Sequence, residues 1–541
     1  MYKKILSDFY YSNKFIVTTF ILVTILILPI EAIGFSKYIT KIITSVNKKN
    51  YSNISYLMLI IIFIYCFTKF LVYIQYYLQI IIDNKLVKQI REQMFISHLH
   101  KSKNKYNEVE LGKLISHFVS IPHTYQDLVY RFLKKILPNI GALFILTIYF
   151  YYVHFKIGII LSLLILTMIL IYSIFGKKCI TMNVKKMKHY HNINESIQDK
   201  FANIFSIIVN NESSNEIKKN SLQENNHHKL SIHADLGYFK LNLILNIIIA
   251  IYIIIVYYIF YTLFIQKSLQ NKELLVSSFL VFFYFVKYLD NTKWFLIDFF
   301  NLIAIIKSYD YSINVKDNVN LKGNLVDFLS NGQIEFQNVC FSYGKNIIHD
   351  HVNFIISPKK INVLIGRSGS GKSTILKMIL NLINPTYGHI LIDKTNLKLI
   401  NIHYLRDNIG IVDQNIKLFN DSIYNNIKYG NKKITKSKVK NIIHQLRLNE
   451  TIFKNKNNIL DIQTGVNGSN LSNGQRQTIL ILRTLLQNKK IIIFDEPTSS
   501  IDVALKNTIL KIIKRLSSNK TIIIATHDKD VLKISDHTIA L

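Results

Sequence analysis

The segment Gly366-Arg367-Ser368-Gly369-Ser370-Gly371-Lys372-Ser373 has the spacing of a loop that grips a phosphate. Its glycines let successive backbone N–H groups turn inward as an anion nest, and a helix opening near Ser373 adds the partial charge of its N-terminus. Lys372 then reaches the β- and γ-phosphates, Ser373 offers a hydroxyl to Mg²⁺, and Thr374 adds a hydroxyl to a phosphate. Far downstream, Ile491-Ile492-Ile493-Phe494 ends in Asp495-Glu496. Asp495 suits Mg²⁺, held mostly through water, and Glu496 suits the general base for an attacking water beside the γ-phosphate. The chemistry these residues point to is hydrolysis of a nucleoside triphosphate.

Such residues need elements to hold them. Ile361-Asn362-Val363-Leu364-Ile365 reads as the strand that feeds the phosphate loop. The β-branched run before Asp495 suits a parallel strand covered on both faces. Gln333-Ile334-Glu335-Phe336-Gln337 alternates as a strand should. The segment 306–332 is polar and irregular and reads as a linker.

Between the phosphate loop and the acidic pair lies Leu471-Ser472-Asn473-Gly474-Gln475. That order of motifs resembles the ATPase domain of an ATP-binding cassette (ABC) transporter. The resemblance implies ATP and Mg²⁺ as cofactors and assigns further residues. Tyr343, in Phe341-Ser342-Tyr343-Gly344, matches the aromatic that stacks on adenine. Gln414 matches the glutamine that touches Mg²⁺ or the attacking water, and His527 the switch histidine that contacts the γ-phosphate. Ser499-Ser500-Ile501-Asp502 resembles the D-loop. Ser472, Gly474 and Gln475 match the helix opening that grips ATP held by the opposite subunit. Asn473 stands where the family has a glycine, and its tolerance of left-handed angles makes the exchange mild. The sequence ends at Leu541, soon after His527, where relatives continue with a hairpin and a helix. Either the domain is naturally trimmed or the sequence is incomplete; the ATPase chemistry is expected to survive, and the departure bears on stability and dimer contacts.

Half of the 541 residues are hydrophobic, and they concentrate before about residue 305. Six runs approach the roughly 20 apolar residues that cross a bilayer: 15–35, 54–77, 136–153, 157–175, 243–265 and 274–299. The third and fourth form a tight hairpin through Val153-His154-Phe155-Lys156, and the fifth and sixth are joined around Gln266 to Glu273. The connections 78–135 and 176–242 are long, helical in period and rich in lysine, which places them and both termini on the cytoplasmic side. No cleavable signal is expected at the start. Six spans with two long helical loops resemble the membrane domain of ABC exporters. Tyr106 to Ser116 looks like the first intracellular loop, and Asn211 to Glu216 like a second coupling helix. Glu31, Lys69, Lys287, Asp290 and Asp298 are charges inside spans, read either as functional or as snorkelling and mutually paired. Lys69 on the substrate path would give weight to an anionic substrate.

The formal net charge is +33. The lysines are dispersed through every loop with no aromatic-interleaved basic stripe, so nucleic acid is excluded as a partner and anionic lipid headgroups are preferred. Cys66, Cys179 and Cys340 lie far apart without metal-ligand spacing, so the sequence predicts neither a disulfide nor a zinc site.

The expected architecture is an α-helical membrane domain of six transmembrane helices (1–305), a linker (306–332) and an α/β P-loop ATPase domain of ABC type (333–541). The resemblance implies a half-transporter that exports an unidentified solute as a dimer, a homodimer in preference to a heterodimer. The alternatives are an ATP-gated channel or regulatory subunit on the same scaffold, or a membrane-tethered ATPase without transport.

Overall fold

The apolar N-terminal runs lie in helices, several of them far longer than a bilayer is thick. In chain order they are α1 Tyr2–Ser12, α2 Lys14–Asn47, α3 Ile54–Ser102, α4 Leu111–Tyr130, α5 Leu137–Val153, α6 Phe155–Ala202, α7 Ile204–Val209, α8 Ser213–Ile265 and α9 Lys272–Ser308. At a rise of 1.5 Å per residue α8 is about 80 Å long, against a hydrocarbon layer of about 30 Å. The connections read as helical are therefore continuous with the spans that precede or follow them.

The computed structural model describes the chain outside residues 1, 48–50, 103–110, 266–271, 310–324, 326–328, 330, 345, 368, 414–416, 447, 449–457 and 499–502. Ser368, Gln414, Ser499 to Asp502, the start of the first intracellular loop and most of the Gln266 to Glu273 connection lie outside the described residues. The chain divides into two units, Met1–Lys316 and Asp317–Leu541.

Among the described residues of the first unit, five helices are long and apolar enough to cross a membrane: Lys14–Asn47, Ile54–Leu99, Leu114–Val153, Phe155–Ala202 and Ser213–Ile265. The sixth expected span falls in α9, which is not one of those five. Lys287, Asp290, Lys293 and Asp298 all lie along α9. Asp290 pairs with Lys293 at 2.5 Å, Lys293 also donates to Asn246 at 2.5 Å, and Asp298 pairs with Arg131. Mutual pairing thus accounts for Asp290 and Asp298. Lys69 is exposed, its ammonium 5.1 Å from the Tyr65 ring centre.

His154 alone, in extended backbone, joins α5 to α6, a tighter hairpin than the sequence indicates. The expected second coupling helix is corrected. Asn211 takes a left-handed φ of 56° and Ser213 already opens α8, so 211–216 is a turn and a helix start. The short helix lies just before it, as α7, whose Phe205, Ile208 and Val209 are exposed. A π-helical turn, Arg131–Ile136, links α4 to α5. Phe150, Phe282, Phe285 and Tyr288 form the aromatic centre of the bundle, and the Tyr288 hydroxyl donates to Leu28 O at 3.1 Å.

The second unit holds two sheets. β1 Ile334–Tyr343, β2 Asn346–Ile356, β4 Tyr387–Ile392 and β5 Thr395–Asn396 make an antiparallel sheet in the order β2-β1-β4-β5. β3 Ile361–Ile365, β6 Ile409–Val412, β7 Ile491–Asp495, β8 Thr521–Ala525 and β9 His537–Ala540 make a parallel sheet in the order β6-β7-β8-β3-β9. Its helices are α10 Lys372–Ile379, α11 Ile402–Asn408, α12 Ile423–Lys428, α13 Lys436–Gln445, α14 Asn473–Leu486, α15 Val503–Ser517 and α16 Lys529–Leu532.

Alternation along the parallel strands feeds two cores. Val363, Ile492, Phe494, Ile522 and Ile524 pack with Ile427, Ile479 and Ile513 of the helices on one face. Leu364, Ile491, Ile493, Ile523 and Ala525 pack with Ile375, Met378 and Phe336 on the other. Cover on both faces is what a continuous β-branched run requires.

Candidate functional site

Parallel pairing brings the chemistry together. β8 pairs with β7 through Asp495↔Ala525 and with β3 through Leu364↔Ala525, so three strands end at one level. The next residues of each are Gly366 after β3, Glu496 after β7, and Thr526-His527 after β8. Residues far apart in sequence therefore meet at the carboxyl edge of the sheet, where open α/β sheets place ligands.

Gly369 and Gly371 take φ of +84° and +89°, angles a side chain resists. A Cβ on Gly369 would meet open space, whereas one on Gly371 would strike His349 and Ile348. Gly371 is the N-cap of α10, which begins at Lys372. The Lys372 ammonium donates to Gly366 O at 2.8 Å and to Arg367 O at 3.1 Å, bridging the mouth of its own loop. Thr374 is buried, and the Ser370 hydroxyl is buried without a partner among the described residues.

Ser373 donates to Asp495 at 3.0 Å. Burial pushes the Asp495 carboxyl above the usual range and the charges of Asp413 and Glu496 add to this, while the Ser373 bond and Lys372 oppose it. Glu496, at a left-handed φ of 48°, points its carboxylate at His527 Nδ1, 2.9 Å away, with the Thr526 hydroxyl at 3.5 Å. The His527 side chain is 77% exposed.

α14 opens as a capping box: Ser472 Oγ accepts from Gln475 N, and Gln475 Oε1 accepts from Ser472 N. Asn473 is the first helical residue and makes a side-chain bond with Arg476. The left-handed freedom invoked for it is not used, because a helix start asks only for right-handed angles. Gly474 also lies inside α14. Tyr343, at the end of β1, is 48% exposed and packs edge-on to Phe341 at 4.8 Å.

Sequence reasoning missed three contributors. His349 of β2 is buried beneath the loop, its Nε2 3.1 Å from Gly371 O, and burial lowers its pKa against the pull of that bond. Gly371 O can only accept, so the Nε2–H of His349 donates. Gln477 of α14 donates to Pro497 O at 2.5 Å, tying that helix to the turn after Glu496. Lys506 of α15 bridges Asp528 and Asp530, and Asp528 accepts from the Thr498 hydroxyl at 2.8 Å. The capping signature S-x-x-Q was open to view at Ser472 and Gln475. Nothing local marked His349.

The chain matches the family model of the ABC transporter transmembrane region over residues 14–287 and that of the ABC transporter over 349–499. It belongs to the ABC transporter family. Such a transporter is an integral membrane protein, and its matched ATPase family carries ATP binding with it. Relatives of this ABC transporter include ATP-binding cassette sub-family B member 6 of Xenopus tropicalis, 34% identical over 45% of this chain and 28% of that protein. The mitochondrial ABC transporter B family member 24 of Arabidopsis thaliana is 36% identical over 37% of this chain and 29% of the relative. The ATP-dependent lipid A-core flippase of Wigglesworthia glossinidia brevipalpis is 39% identical over 38% and 36%. The chain thus spans about a third or less of the length of these curated relatives. A solved structure of a bacterial Atm1-family ABC exporter with ATP bound superposes with a TM-score of 0.83 over 98% of this chain and 93% of that one, at 20% identity, a likeness of fold.

The residues of this ABC transporter fit its expected cofactors. Hydroxyl and carboxylate donors from Ser373 and Asp495 are the oxygen ligands a hard cation takes, and burial of Asp495 near two further carboxylates favours positive charge there.

Proposed function

We propose that this chain is half of a dimeric exporter that hydrolyses ATP at sites shared between two ATPase domains. The observation that carries the reading is the pairing of Ser373 with Asp495 beside the pairing of Glu496 with His527, all at the ends of neighbouring strands. Bound Mg²⁺ would offset phosphate charge between Ser373 and Asp495, with Gln414 as a further ligand. Lys372 leaves its loop carbonyls for the phosphates, and Tyr343 stacks on the adenine. Glu496 takes a proton from the attacking water while His527 holds its carboxylate in place. Ser472 and the start of α14 serve ATP on the partner chain.

Six membrane spans, with α9 as the last, form the transport half from 1 to 305. A linker over 306–332 leads to the ATPase half. The cargo is an unidentified solute.

Reconstituted vesicles test this reading. With ATP the native chain accumulates solute against its gradient. Glu496→Gln lowers hydrolysis at least about 100-fold, the span of a lost general base, while ATP still binds. Downhill current alone would replace the pump with a gated channel. ATPase activity indifferent to every solute would point to a tethered ATPase, and full turnover in the variant would remove Glu496 as the base.

A further inference from the structure

We propose that Cys340, Asp350 and His351 bind a zinc-class divalent cation on the antiparallel sheet of the second unit, apart from the nucleotide site. β1 and β2 pair with register shifts on either side of Cys340, between Val339 and Phe341. Cys340 of β1 there meets Asp350 and His351 of β2, with one ligand atom from each lying within 4.8 Å of the others. Asp350 Oδ1 is 3.7 Å from Cys340 Sγ and 3.7 Å from His351 Nε2. Around a tetrahedral cation with bonds of about 2.0–2.3 Å, neighbouring ligand atoms stand about 3.3–3.7 Å apart.

Two contacts from outside the three ligand atoms prepare them. His351 Nδ1 lies 2.7 Å from Asn338 Oδ1, an acceptor, so Nδ1 carries the proton. In the neutral ring the Nε2 lone pair then faces the Asp350 carboxylate, acceptor against acceptor, an arrangement a cation relieves. A ligating imidazole that donates its other N–H to an oxygen is the usual outer support of a metal site. The backbone N–H of His351 donates to Cys340 Sγ at 3.2 Å, which holds the sulfur in place beside the other two ligands.

The donor set selects the ion. One thiolate, one imidazole and one carboxylate carry two negative charges and suit Zn²⁺, Co²⁺ or Cd²⁺, while sulfur disfavours Mg²⁺ and Ca²⁺. Binding displaces the thiol proton to solvent, and the exposed fourth position is left to water. The sequence hides the site because its ligands come from neighbouring strands and show no metal-binding spacing.

The test uses the full chain in lipid nanodiscs, reduced, stripped of metal and titrated with Co²⁺. A thiolate-to-cobalt charge-transfer band is expected to saturate at one ion per chain and to vanish when Zn²⁺ is added. Cys340→Ser abolishes the band and Cys66→Ser leaves it. Asp350→Asn, His351→Gln and Asn338→Leu each weaken Co²⁺ binding about tenfold or more. Circular dichroism verifies that each variant is folded. No band in the native chain would show that a thiol–carboxylate hydrogen bond and a His351–Asp350 ion pair fill the cluster instead. A band that survives Cys340→Ser, or affinity unchanged in Asp350→Asn and His351→Gln, would equally overturn the site. Neither result bears on ATP hydrolysis, so this proposal and the exporter reading fail separately.

Discussion

His349 shows how one side chain positions a phosphate loop from below. Its ring fills the space that a Cβ on Gly371 would claim, and its Nε2–H adds a second donor to a carbonyl already bonded to Ile375 N. His349→Ala removes a hydrogen bond of about 1 kcal/mol together with packing under the loop. ATP affinity should fall about fivefold or more, read as a raised KM with kcat little changed. His349→Gln keeps a donor and should recover most of the loss. Lys372, Ser373, Asp495 and Glu496 stood out in the sequence because each lies in a motif at or after a strand end, and His527 because it matched the resemblance to the ABC ATPase domain. His349 did not, because its contact crosses from the antiparallel sheet to the parallel one, and no local pattern records such a crossing. Asn473 was noticed for the wrong reason: the motif marked the exchange, but only the helix boundary revealed which backbone angles it needs.

Two elements near the site hold their ends by side-chain chemistry. α14 depends on Ser472, whose cap is worth about 1 kcal/mol. Ser472→Ala should lower the unfolding temperature measurably, apart from any loss of hydrolysis. α16 begins where Asp528 accepts from Asp530 N, and Lys506 anchors both carboxylates. Hydrogen bonds from Lys506 and Lys533 hold the Asp530 carboxyl down at about 2, and at Asp528 those from Lys506, Asp530 N and Thr498 outweigh burial. Both folded values lie below the unfolded ones. Their stabilisation is therefore complete above about pH 4 and is lost as pH falls toward 2. Lys506→Met should flatten that acid limb in a pH series of thermal melts. Helix existence was legible from apolar period, as α2, α3, α6 and α8 illustrate. Their ends were less so: polar 176–242 continues α6 and α8 as helix, and the turn at Asn211 fell where a coupling helix was expected.

For the molecule as a whole, the phosphate loop and Ser472 belong to different composite sites under the exporter reading. Lys372→Ala and Ser472→Ala should each abolish turnover alone. Co-expressed in equal amounts, half the dimers pair one of each and retain one complete site, so about a quarter of native ATPase activity should return. No recovery would mean that each chain completes its own site. The parallel sheet was legible from two β-branched strands and a Gly-rich loop, whereas the sixth expected span, 274–299, falls in α9, which carries charges and lies outside the five helices long and apolar enough to cross a membrane among the described residues.

The length of α8 has a mechanical consequence. A rod of about 80 Å that tilts by about 5° around its middle carries each tip through about 3.5 Å in opposite directions. A displacement of an ångström or two at one end is thus delivered to the far end undiminished, with its sense reversed. Spin labels at Asn215 and Tyr261 should register those opposed shifts in a single turnover, making α8 a rocker arm whose gear ratio is set by where along its length the bundle grips it.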